Sequence, residues 1–158
     1  MHLLFQYNWQ VRDEWFEWCK AVPEEELKRE RIGGVGSFHR TLFHIVDVEI
    51  SWIHALEGKE FDPSFSDYNT LEKMKHLSDS YRLELESFLL HWKDEMETKT
   101  AKAPWLKNES FNYGEVLRHV IAHEIHHIGQ LSVWTRELGK TPISPNFIGR
   151  SLNPSSTG

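Results

Sequence analysis

The chain has 158 residues, enough for one domain with a sizeable core, and its 39% apolar and 27% charged residues are ordinary for a soluble protein. A formal charge of −6 argues against non-specific partnership with nucleic acid or anionic lipid. The single cysteine, Cys19, excludes an intrachain disulfide, and no apolar run is long enough to span a bilayer. The opening MHLLFQYNWQVRDEW lacks the basic-then-apolar order of a signal peptide, so a cytoplasmic protein without a membrane partner is expected.

The first helix is predicted from about Leu3 to Ala21, with Phe5, Trp9, Trp15, Phe16 and Trp18 along it and Pro23 beyond its end. A polar connector, EEELKRERIGGVG, leads to Ser37, a good N-cap for a second helix reaching about Leu56. Phe38, Leu42, Ile45, Val46, Ile50 and Ile53 recur on it at helical spacing, and Gly58 ends it. Residues Phe61 to Asn69 read as a loop long enough for a crossover. A third helix is predicted from Thr70 to about Met96, and Ala101 to Asn112 as an irregular stretch with room for a short β excursion. The fourth helix spans about Tyr113 to Leu138 and stops at Gly139 and Pro142. These patterns predict an all-α four-helix bundle over residues 1–150 as a single domain, with residues 151–158 as a flexible tail.

The fourth helix holds His119-Val-Ile-Ala-His123-Glu124-Ile-His126-His127. Residues four apart share a helix face, so His123 and His127 can aim their imidazoles at one point, which is half of a divalent transition-metal site. The alternative is surface or hydrogen-bonded core duty, the common fate of helical histidines. The same segment satisfies H-E-x-x-H, in which Glu124 would serve a metallopeptidase as general base. No histidine follows His127, so the metzincin extension is missing, and little strand signal exists to line a peptide cleft.

A third ligand has four candidate sources upstream: His44, His54, His76 and His91. His44 lies in the most apolar surroundings, between Phe43 and Ile45, where it is either a core histidine bonded to a carbonyl or a ligand. Glu124 falls on the apolar stripe of its helix, where an unpaired carboxylate would be costly. It is therefore expected to support a ligand histidine, to act as the catalytic acid or base, or to meet a polar dimer interface. Asp47 and Glu49 are weaker supports of the same kind. Cys19 reads as a small buried apolar group.

Taken together, Asn8-Trp9, the run Gly36-Ser37-Phe38-His39-Arg40-Thr41-Leu42-Phe43-His44-Ile45, Trp52, Leu56-Glu57-Gly58 and the H-x-x-x-H followed by Gly129-Gln130 resemble the DinB family of bacterial four-helix metalloproteins, the DinB/YfiT-like group. The resemblance covers most of the chain and implies a metal on His44, His123 and His127. It implies zinc, nickel or a similar ion, open coordination positions and a homodimer. It also implies kinship with thiol S-transferases and isomerases that use low-molecular-weight thiols, beside many members of no assigned activity. The residue before Gly-Gln is often Arg in such proteins; here it is Ile128, so no role for that Arg transfers.

Three neutral imidazoles leave a divalent ion its full charge and an open position, which suits activation of a thiol for S-transfer or of water for hydrolysis. Two functions follow as expectations. One is a metal-dependent transferase or hydrolase acting on a small molecule or with a small thiol. The other is a non-catalytic dimeric metal-binding or stress-response protein in which the ion ties two helices together.

Overall fold

A computed structural model describes residues 1–60, 62–106 and 108–152. Helix α1 covers His2–Cys19, α2 Glu24–Lys28, α3 Phe38–Glu57, α4 Leu71–Leu90 and α5 Tyr113–Glu137. The four long ones match the expected helices. Phe61, at the head of the expected loop, and residues 153–158 of the expected tail lie outside the described residues.

Two elements depart from expectation. The connector contains α2, whose three glutamates sit in its first turn and Lys28 in its last, each complementing the helix dipole. Leu27 is its one buried residue, so five residues offered no periodicity to read. Helix α4 stops at Leu90, not near Met96: His91 leaves helical geometry, Lys93 is extended, and Asp94–Met96 form a separate 3-10 turn. The apolar spacing of Phe88, Trp92 and Met96 runs on across that break and hides it. The β excursion is present as a two-residue antiparallel ribbon, Thr100–Ala101 against Phe111–Asn112.

Helix α3 is bounded by its own chemistry. The Ser37 side chain accepts from the Arg40 N–H at 3.1 Å, and Gly58 closes the helix with φ +69°. Ser37→Ala is expected to cost about 1 kcal/mol, read as a melting temperature lower by a few degrees. Thermal melts of the two chains check it, and an unchanged midpoint would remove the cap from the account.

Helix α1 packs on α4 and α5, and α3 packs on the same two, so α1 and α3 are diagonal partners. The two crossing connections are therefore those from α1 to α3 and from α4 to α5. The segment after α3, long enough for a crossover, joins neighbours instead. This order lets α3 lie along α5. The core between the helices is filled by Phe5, Trp15, Leu42, Ile50, Leu85, Leu117 and Leu131, all fully buried.

An ionic cluster sits inside that core. Arg12 donates from Nε and Nη2 to Glu124 at 2.8 and 2.6 Å, and from Nη1 and Nη2 to Glu49 at 2.8 Å each. Its last N–H reaches Ser78 Oγ at 3.1 Å, so all five guanidinium donors are used. Trp9 Nε1 adds a third hydrogen bond for Glu49 at 3.1 Å. One side chain of α1 thus bonds to α3, α4 and α5.

Candidate metal centre

On α5, His123 and His127 stand one turn apart, and α3 brings His44 against them. His44 Nε2 lies 3.0 Å from His123 Nε2, and His127 Nε2 lies 3.1 Å from the same atom. The rings meet edge to face with centroids 4.5 to 4.9 Å apart. His127 is buried, whereas His44 and His123 are half-buried. Nitrogen ligands about 2.0–2.1 Å from a tetrahedral ion lie about 3.3 Å from one another. The three Nε2 atoms are therefore spaced as a set that one ion could share, and the group fits a divalent transition metal.

The electrostatics keep these rings neutral. Burial, reinforced by the neighbouring imidazoles, pushes His123 down to about 3 and His127 to about 4. Burial lowers His44 as well, with Asp47 working against it. Neutral rings offer their lone pairs, the state that ligation needs.

The sign of the consequence is definite for the metal-free chain. Unfolded imidazoles take up protons near pH 6.5, whereas the folded His123 and His127 resist until about pH 3 to 4. Between those limits the unfolded chain binds more protons. Stability is thus fully present above pH 6.5 and is expected to fall as the pH drops towards 4. Urea melts of chelator-treated protein across that range test this; His123→Ala should flatten the fall, and parallel curves would sink it.

The other histidines lie elsewhere. His119 and His126 are exposed; the His119 ring is 5.3 Å from Trp52 and 5.8 Å from His123, and the His126 ring is 5.2 Å from His127. His54 packs beside Tyr81 and near Glu84. His76 sits by Asp79 and Lys75 at a groove between α1 and α4, and His91 Nδ1 lies 2.7 Å from the Ser87 carbonyl. His54, Glu57 and Glu84 form a second group of donors, but the Lys59 ammonium is bonded to both of its carboxylates, so a cation already serves it.

Glu124 is fully buried on the stripe, and both its oxygens accept from Arg12, a partner that the sequence reading did not name. Glu49, expected as a weaker support for a ligand histidine, is also buried on Arg12. Asp47 is half-buried and accepts from Ser51 Oγ at 3.0 Å. Cys19 is fully buried and its thiol is pushed up to about 12 by desolvation, consistent with an inert apolar filler. Asn8 donates to the Ile121 carbonyl at 3.3 Å, tying α1 to the helix that carries the histidine pair. Among the described residues no helix is long and apolar enough to cross a membrane.

The DinB family model matches residues 1–151. The "Uncharacterized protein YizA" of Bacillus subtilis (strain 168) is 50% identical over 155 residues, which are 98% of this chain and 98% of that protein. Two solved structures share the fold. A DinB-like protein from Bacillus cereus superposes with a TM-score of 0.59 at 25% identity, covering 89% of this chain and 94% of its own. A DinB-like protein from Bacillus subtilis, YjoA, gives 0.59 at 16% identity over 91% of this chain and 96% of its own.

Proposed function

We propose that this chain, which belongs to the DinB family, is a metal-dependent enzyme of the thiol-transfer or hydrolytic kind, with His44, His123 and His127 as the ligands of one divalent ion. The observation that carries this reading is the convergence of three Nε2 atoms from two helices on one point. Such an ion, zinc or nickel for preference, would supply Lewis acidity and lower the pKa of a water or thiol at its open position.

The chain's own contributions can be derived. His123 and His127 are held at fixed spacing by the helix, and His44 is aimed at them by the packing of α3 on α5. Burial keeps the rings neutral and so keeps the full ionic charge available for the reacting group. Glu124 anchors α5 beside His123 through Arg12. With both oxygens engaged there, it is poorly placed as the general base that the H-E-x-x-H reading requires.

The test is elemental analysis of untagged protein, followed by assays with small thiols and electrophiles and with ester or amide substrates. About one ion per chain and metal-dependent turnover in either assay is expected. Metal without turnover in any assay would favour the non-catalytic reading, with the ion as a tie between α3 and α5. A homodimer belongs to the same proposal, and light scattering of the metal-loaded protein tests it.

A further inference from the structure

A cavity of about 630 Å³, within the range of small-molecule sites, opens one helical turn along α3 from His44. Asp47, Trp52, Lys59, Glu60, Asp62 and Trp105 line it. Trp52 is the link to the histidine set. Its ring stands perpendicular to Trp105 at 5.1 Å and to Phe111 at 5.4 Å, and also packs on His119 beside His123. Trp105 keeps 47% of its surface in solvent.

The charge of the cavity is one-sided. Asp47, Glu60 and Asp62 make no ion pair with any Lys or Arg among the described residues, and Lys59, which also lines the cavity, is already bonded to Glu57 and Glu84. Burial raises the Asp47 carboxyl, the Ser51 hydrogen bond and His44 work against it, and the Asp62 charge adds to the rise. An anion entering here would be repelled, and a neutral apolar group would desolvate carboxylates without compensation. A cation beside an apolar body satisfies both walls at once, since indole faces attract cations and carboxylates pair with them.

We propose that this cavity binds the cationic, amphipathic part of the substrate: a small molecule bearing an ammonium or alkylated ammonium group next to an aromatic or aliphatic portion. Its assignment as a substrate pocket rests on the metal-site reading above; the cation preference does not.

Benzyltrimethylammonium, benzyl alcohol and benzoate are the probes, titrated by calorimetry into metal-loaded and chelator-treated protein. The cation is expected to bind at least about tenfold more tightly than the alcohol and the benzoate. Asp47→Asn with Asp62→Asn, and separately Trp105→Ala, should each lower its affinity about tenfold, while Trp105→Phe retains most of it. Far-ultraviolet circular dichroism confirms that each variant is folded. Equal affinity for cation and alcohol, or a double Asn variant that binds as the wild type does, overturns the proposal. If wild-type protein takes up no metal but prefers the cation, the metal-site reading fails and the cation site stands; metal uptake without cation preference leaves the metal site standing and overturns the cation site.

Discussion

Replacing Arg12 by Met is expected to destabilise the fold by roughly 3–5 kcal/mol, the range seen when one partner of a buried ion cluster is removed. The substitution keeps the volume of the stem and deletes the charge, leaving Glu49 and Glu124 buried with no cation between them. For a chain of this length the melting temperature should fall by roughly 10 °C or more. Burial already raises the Glu124 carboxyl against the pull of Arg12, so loss of that pull leaves desolvation unopposed. The triple change Arg12→Met, Glu49→Leu and Glu124→Leu removes the charges together and is expected to recover most of the loss. Thermal melts of the three proteins decide it. An Arg12→Met chain as stable as the wild type would mean that water reaches the cluster.

Removing the imidazole of His44 should lower metal affinity by more than about 100-fold, beyond what the loss of an outer partner of a ligand costs. His44 is the one member of the set contributed by α3, so the variant also disconnects the two helices at that point. The ring is half-buried and makes no bond to the core cluster, so the helical signal is expected to survive. Two readouts follow. Metal per chain should drop to background in His44→Ala. The wild type should also gain thermal stability when metal is added, by about 4 kcal/mol at a thousandfold excess over Kd, whereas the variant should gain little. Equal metal content in both proteins would return these histidines to packing duty.

Much of this was legible in the sequence for identifiable reasons. Long helices with regular apolar spacing announce themselves, and Ser37, Gly58 and Gly139 mark boundaries by backbone chemistry that neighbours do not override. The pair His123 and His127 needed only the helical period. His44 was harder, because its partner lies 79 residues away and four upstream histidines competed for the place. The apolar run around it separated it from His76 and His91, and the structure places it with the pair. The bundle order was not legible, since periodicity says which face is buried and not which helix buries it.

The Arg12 cluster was the main omission, and a signal for it existed. Phe5, Asn8, Trp9, Arg12, Trp15, Phe16 and Cys19 form one buried stripe of α1, so a guanidinium sat on an apolar face in plain view. Glu49 and Glu124 occupy the same kind of position on α3 and α5. Glu124 alone looks like an exception; with Arg12 and Glu49 beside it the three sum to a partnership. The cavity residues escaped because Trp105 and Asp62 lie in irregular segments whose placement no period predicts.

The reach of Arg12 along the chain also orders events in time. Its bonds span 37 residues to Glu49, 66 to Ser78 and 112 to Glu124. A chain emerging from synthesis can engage the first two while α5 is still unmade, but Nε then has no acceptor. The longest of these loop closures, the costliest in chain entropy, is the one that completes the guanidinium by docking α5. That same step carries His123 and His127 to His44. The three-imidazole set is therefore assembled only in the finished bundle, because two of its members lie on the last helix.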